Sequence, residues 1–412
     1  MVRYCYAGRG INSLVCYNSS MVSFFSRPKR IDELALVFDI GSSSVGGAIF
    51  LTRPKAPPKI ICSFREPILA EKKLSFDRFF ALTLKSLDTV ALEILKMGRG
   101  APARIFCVLS SPWYISQPRT IRLEKNTPFV FNSKLADGLI QKEIALFREE
   151  HAQMNQGSEE KWKPIEFKNL KTVLNGYPTA NPYNQKTKEL EMTMFISMSP
   201  EAVLKKIEET IAKHFHFKEI RFSSFVIASF AVVRDMFVHQ EEFLLIDIGG
   251  EVTDISLVKE NTLGQSISFP LGPNFLLRSL AEETGCTLSE AASIISLYKD
   301  GHAESGSLKK LDPMMNKLKT RWLSKFQESL ANLSSDISIP STIFIAVDKE
   351  FASFFREIIQ SEQFNQYTLT QSKFQIIFLD AGVFHNAAFF NEEAVRDPFL
   401  IIEAIYINRF LY

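Results

Sequence analysis

The sequence predicts a two-lobed α/β protein carrying an inserted α+β subdomain, and three observations lead there. The first is a repeat. An apolar run, the tripeptide Asp-Ile-Gly, a small polar turn and a second apolar run appear as LALVFDIGSSSVGGAIF from Leu34 and again as FLLIDIGGEVTDISLV from Phe243. The copies lie too far apart for the short period of a solenoid, so the pattern reads as a duplicated lobe. The second is length, since 412 residues exceed what one ordinary hydrophobic core organises. The third is a change of character over residues 115–217, where charge rises and glycine thins out, as in a subdomain inserted into the first lobe.

Residues 1–33 read as a disordered, basic segment without the continuous apolar stretch of a signal peptide; Met21 is an alternative start. The basic stretch from Phe24 to Arg30 offers a weak contact with anionic lipid. The first lobe spans 34–114. LALVFDI is a continuous buried strand, SVGGAIFL follows a tight turn, and KIICSF follows a Pro/Lys loop. From about Phe76 to Met97, Phe80, Leu84, Leu87, Ala91, Ile94 and Leu95 recur at helical spacing, and Gly98 and Gly100 stop the helix. The strand RIFCVLSS closes this unit at Pro112.

The insertion over 115–217 holds a helix near Ser133 to Glu149, a polar loop through Gln153 to Lys163, two strands and a helix from Pro200 to Phe215 with Ser199 as N-cap. The chain returns to the first lobe over 218–240 and builds the second lobe over 241–395, with a helical subdomain at about 271–335. The strand STIFIAV, a helix from Lys349 to Gln360 and the strand FQIIFLD complete that lobe. Over 396–412 a helix from Pro398 to Phe410, capped by Asp397 and apolar on almost every face, closes on the first lobe as a buried element.

Composition removes several function classes. The net charge of +2, from 48 basic and 46 acidic residues, supplies no whole-protein field for nucleic acid, so none is expected as a partner. The five cysteines (Cys5, Cys16, Cys62, Cys107, Cys286) lack C-x-x-C spacing and suit a reducing cytoplasm. No run reaches the roughly 18 to 20 apolar residues of a membrane-spanning helix, which points to a soluble or peripheral protein.

The two hairpins carry the chemistry. A phosphate needs backbone N–H groups aimed at it without side chains in the way, and the turn Gly41, Ser42, Ser43, Ser44 supplies these together with hydroxyl donors. Gly249 and Gly250, with Thr253 beyond them, form the matching turn. An aspartate ends each buried strand, and Asp39 and Asp247 are placed to hold Mg²⁺ through water.

With this order of parts the chain resembles the actin-like ATPase superfamily, in which each lobe carries a D-x-G-[ST] phosphate hairpin. Within the insertion, Leu174-Asn175-Gly176-Tyr177-Pro178, Asn181-Pro182 and Leu190-Glu191 look like the SHS2-type subdomain of the FtsA family of division proteins; the PilM family of type IV pilus proteins has a related insertion. The resemblance implies a duplicated, ribonuclease H-like two-lobed fold, with ATP and Mg²⁺ as the bound group. It implies a scaffold in the cytoplasm, held at the inner face of the membrane through partners that engage residues 115–217. That partner is a division filament in the FtsA-like reading and a pilus membrane protein's tail in the PilM-like one. Self-association and only indirect membrane contact also follow from it.

The nucleoside half of the family pattern is missing. Val347 and Asp348 stand where a Gly-Gly turn approaches adenine, and Asp348 reads as the N-cap of the next helix. LSEAASIIS places Ala292 and Ile295 where an acid and a lysine would reach the nucleoside, leaving Glu290 as a remnant. Phe225 aligns with the residue that would orient the attacking water. Weak ATP binding with at most slow hydrolysis, an empty relic, and a pocket hidden by misalignment all stay open, with no catalytic residue assigned. The absent adenine turn disfavours a small-molecule kinase. The ranking is an FtsA-like scaffold first and a PilM-like pilus component second.

Overall fold

The computed structural model describes residues 32–53, 56–154, 161–299, 305–333, 339–361 and 374–411. Met21, Cys5, Cys16 and the basic stretch before Arg30 lie outside the described residues. The chain divides into two compact units, a larger one of residues 24–117, 159–166 and 197–412 and a smaller one that includes 118–158 and 167–196.

In the larger unit the duplication is topological. Strands β1 (Glu33–Ile40), β2 (Ser44–Thr52) and β3 (Lys59–Pro67) form an antiparallel meander, and helix α1 (Phe76–Lys96) returns the chain to β4 (Arg104–Leu109), parallel to β1. The sheet runs β15-β3-β2-β1-β4-β9, with β9 at Ile220–Ser224 and β15 at Phe389–Phe390. The second sheet repeats the order as β12-β11-β10-β13-β14, from β10 (Phe243–Ile248), β11 (Thr253–Lys259), β12 (Thr262–Phe269), β13 (Thr342–Val347) and β14 (Gln375–Phe378). In both, a central apolar strand has an antiparallel neighbour on one side and a parallel one on the other. Burial on both faces is why LALVFDI and FLLIDI read as continuous apolar runs and not as alternating ones.

Helix α1 buries Phe79, Thr83, Ser86, Leu87, Val90, Ala91 and Ile94. Of the expected stripe, Leu87, Ala91 and Ile94 are buried and Phe80 and Leu84 half-buried, and the correction falls on Leu95, which is 45% exposed. The buried face also takes in two hydroxyls, which are satisfied locally. Thr83 Oγ1 donates to the Phe79 carbonyl at 3.0 Å and Ser86 Oγ to the Pro67 carbonyl at 3.1 Å, so both are buried without an unpaired group.

Helix α3 (Glu201–Ala212) belongs to the larger unit and packs on α1. Its N-cap position is Pro200, not Ser199; the Ser199 hydroxyl instead donates to the Trp113 carbonyl at 2.7 Å. Helix α4 (Phe225–Met236) and the closing helix α9 (Pro398–Tyr406) pack together, and α9 lies against β1, β2 and β3. Residues Leu400 to Ile407 are all buried, as the apolar pattern predicts. Asp397 caps α9, accepting from the amides of Phe399 at 3.0 Å and Leu400 at 3.2 Å.

The second-lobe core gathers on Trp322 of α7 (Ser305–Leu333). Its ring stacks on Phe326 at 5.1 Å and meets Phe355 of α8 (Ala352–Ser361) at 5.0 Å.

The smaller unit has its own sheet, ordered β5-β8-β6-β7 (Ile115–Phe131, Gln185–Pro200, Trp162–Leu174, Tyr177–Pro178), and helix α2 (Ser133–Met154). Ala136, Ile140, Ile144 and Phe147 of α2 are buried, as are Leu190, Met192 and Met194 of β8. Asn175 (φ 49°) and Gly176 (φ 83°) join β6 to β7, and both being left-handed is what a two-residue hairpin turn demands. The Asn175 side-chain oxygen then accepts from Thr187 Oγ1 at 2.8 Å and the Lys188 amide at 2.9 Å, which ties the turn to β8. Among the described residues, no helix is long and apolar enough to cross a membrane.

Candidate functional site

The two hairpins have one geometry. In the first, Gly41 N–H donates to the Ser44 carbonyl at 3.1 Å, and Asp39 pairs across the ladder with Gly46. In the second, Gly249 N–H donates to the Val252 carbonyl at 3.0 Å, and Asp247 pairs with Asp254. Asp39, Gly41, Ser42, Ser43, Ser44, Asp247 and Gly249 line one small void, together with Arg65, Ser110, Ile248, Asp348 and Phe399. Gly250 packs directly on Ser42: a Cβ there would lie 2.7 Å from the Ser42 carbonyl oxygen. Thr253 stands apart from this group. It is fully buried, and its hydroxyl donates to the Leu271 carbonyl at 2.7 Å and accepts from Trp322 Nε1 at 3.3 Å.

The residue that sequence reasoning missed is Arg65, on β3. Its Nη2 donates to Asp39 Oδ2 at 2.7 Å and to Asp397 Oδ1 at 3.1 Å, its Nη1 to Ser44 Oγ at 2.9 Å, and its Nε bonds Asp397 Oδ2. The guanidinium also lies over the Phe399 ring, 5.3 Å from the centroid. The available signal was the glycine pair Gly46-Gly47. Arg65 pairs with Gly46 in register, and a Cβ at Gly46 would sit 2.7 Å from Nη2.

Glu403 of α9 completes the cluster. It is fully buried, and among the described residues neither of its carboxyl oxygens receives a hydrogen-bond donor. Burial first, and the nearby Asp39 charge second, push its carboxyl well above the usual range, which favours the protonated form of Glu403. Burial also raises Asp39, against the pull of Arg65. Asp247 is pushed well up by burial, with Asp254, Asp39 and Asp348 adding like charge.

The residues do not fit a hydrated magnesium ion or a triphosphate in this arrangement. The void measures about 20 Å³, room for about one water molecule. The Asp39 carboxylate is committed to Arg65, and the second turn lies on the first: Glu251 N–H donates to Ser42 Oγ at 3.2 Å. Gly272, which precedes α5 (Pro273–Thr284), braces that turn so closely that a Cβ there would be 2.1 Å from the Gly249 carbonyl oxygen. The Glu251 side chain turns into its own lobe, onto Arg278 and Asn274 Nδ2, the latter at 2.8 Å.

Two further expectations are corrected. Asp348 makes no side-chain cap for the short helix at Lys349–Phe351; its carboxylate faces Arg65 and Ser43 across the void. Glu290 on α6 (Leu288–Lys299) forms a capping box with Thr287: its Oε2 accepts from the Thr287 amide at 2.7 Å, while its amide donates to Thr287 Oγ1 at 3.2 Å. A carboxylate also comes close to Phe225. Glu166, far away in sequence on β6, accepts at Oε1 from the Ser224 amide at 2.8 Å and Ser197 Oγ at 3.2 Å, and binds the hydroxyls of Ser223 and Ser224. These donors consume it, and it does not line the void between the hairpins.

A larger cavity of about 390 Å³ is lined by Tyr114, Val226, Asp254, Ser266, Ser268 and Phe269, among others. Asp254 lies there, bonded to Ser268 and within reach of Ser111. Among the described residues, no three His, Cys, Asp or Glu side chains are grouped to hold a metal directly.

No protein-family model matches the chain, and no curated protein matches it in sequence. Solved structures do. A PilM-PilN type IV pilus biogenesis complex matches at a TM-score of 0.57 and 13% identity, covering 92% of this chain and 97% of that one. Ethanolamine utilization protein EutJ from Carboxydothermus hydrogenoformans matches at 0.40 and 8%, covering 95% and 92%. A Bacteroides thetaiotaomicron protein described as having an actin-like ATPase fold matches at 0.37 and 11%, covering 84% and 91%. Duplicated sheets, paired hairpins and the first of these matches together establish that this chain has the actin-like ATPase fold.

Proposed function

We propose that this protein is a scaffold of the PilM kind, a cytoplasmic component of a type IV pilus or related envelope assembly, recruited by the tail of an integral-membrane partner. The observation that carries this reading is the extent of the PilM-PilN match, 92% of this chain and 97% of that one, well beyond a shared lobe. The filled space between the hairpins supports a binding role over turnover, with weak ATPase activity as the upper limit. The FtsA-like division role, ranked first on the insertion motif, now stands second because no further observation favours it.

The smaller unit, with its separate sheet and core, is the proposed interaction module, of SHS2 type. Its turn places Tyr177 outward at 78% exposure. Affinity isolation of the full chain from its native cells tests the reading. Recovery of a short-tailed pilus membrane protein, weakened by Tyr177→Ala, is the expected outcome. Recovery of a tubulin-like division filament would replace it with the FtsA-like role.

A further inference from the structure

We infer that Arg65 is the built-in cation of the cleft, standing in for the hydrated magnesium ion of an actin-like ATPase, and that the two lobes are clasped without nucleotide. This is independent of the pilus reading, since it concerns what holds the lobes and not what the surface binds.

The first support is charge. Asp39, Asp247 and Asp348 face the void, and Arg65 is the one positively charged group among its lining residues. A guanidinium is a planar fork, so one residue can serve Asp39, Asp397 and Ser44 together, as a spherical ammonium could not. A divalent ion brought to Asp39 would meet that fixed positive charge instead of a free carboxylate.

The second is the route by which the cation is held. Asp397 and Phe399 come from the start of α9, more than 300 residues on in the chain, and meet the same guanidinium that binds Asp39. The closing helix thereby fastens the first hairpin. Gly46 leaves the space over which the Arg65 side chain reaches from β3 to Asp39 on β1.

The third is the direct meeting of the hairpins. Turn amides that would point at phosphate oxygens already have protein acceptors: Gly41 on Ser44, Gly249 on Val252, and Glu251 on Ser42. The last of these crosses from one lobe to the other. Ser42 thus accepts the hydrogen bond that a nucleotide's phosphate would otherwise take.

Thermal unfolding of the full chain in EDTA, in Mg²⁺, and in Mg²⁺ with millimolar ATP is expected to give one Tm in all three. A rise of several degrees with Mg²⁺ and ATP, or nucleotide released on denaturing the purified protein, overturns the inference. Variants test Arg65 itself. Arg65→Met strands two carboxylates and is expected to lower Tm sharply or prevent folding. The triple variant Arg65→Met, Asp39→Asn, Asp397→Asn removes the whole ionic set while keeping an asparagine cap, and is expected to recover most of the loss. A triple variant no more stable than Arg65→Met shows that Arg65 is not the counter-ion, and the inference falls.

Discussion

Arg65 Nη2 lies 2.7 Å from Asp39 Oδ2, so the aspartate that ends the first buried strand is neutralised from inside the fold. The same guanidinium binds Asp397, the cap of the last helix. One side chain therefore joins the first and last elements of the first lobe.

Asp397→Ala removes both a helix cap and a partner of Arg65. A cap contributes about 1 kcal/mol and breaking a buried ion pair costs about 3 to 5 kcal/mol, so a loss of about 4 kcal/mol is expected in urea unfolding. Asp397→Asn keeps the cap and should lose measurably less.

Gly272→Ala drives a methyl group into the carbonyls of Gly249 and Gly250. Backbone is the obstacle, so no rotamer change relieves it. The expected cost is about 3 kcal/mol or more, at the upper end for overpacking, seen as a lower urea midpoint.

Glu403→Gln should stabilise the protein increasingly as pH rises. Burial raises the Glu403 pKa in the fold and so favours its protonated form there, while in the unfolded chain it ionises in the ordinary range. Its contribution is complete below the unfolded pKa and is lost as pH climbs toward the folded one. Asp39, Arg65 and Asp397 face it, and Gln retains a donor for Asp39. The stability difference, variant minus wild type, should grow as pH rises above the ordinary carboxylate range in parallel urea titrations. A pH-independent difference would show that Glu403 carries no proton in the fold.

Glu166→Ala leaves the Ser224 amide and three serine hydroxyls facing an empty site. Each unsatisfied buried donor costs roughly 1 to 3 kcal/mol, so a total of about 3 kcal/mol or more is expected after partial relaxation. Glu166→Gln preserves one acceptor oxygen and should cost less than half as much. Amide exchange at Ser224 reads the local opening directly.

Much of the architecture was legible in the chain. Periodicity and turn chemistry are local, so the repeated strand-turn-strand units, α1 and the capped closing helix could be placed from composition and spacing at Asp39, Asp247, Gly98 and Asp397. What escaped was the set of partners brought together from distant positions. Nothing in SFREP marks Arg65 as the partner of Asp39, and nothing near Phe225 announces Glu166. The core positions of Thr83 and Ser86 likewise depend on acceptors, the Phe79 and Pro67 carbonyls, that only the fold brings into place.

The sequence by itself determined that two matching hairpins exist and that each ends a buried strand in aspartate, because strand patterning and turn residues act over a few positions. Only the tertiary structure decided what those aspartates meet. The energy of a buried charge depends on the groups within a few ångströms, whatever their separation in the chain, and here Arg65, Asp397 and Glu403 arrive from two other elements to fill the place beside Asp39.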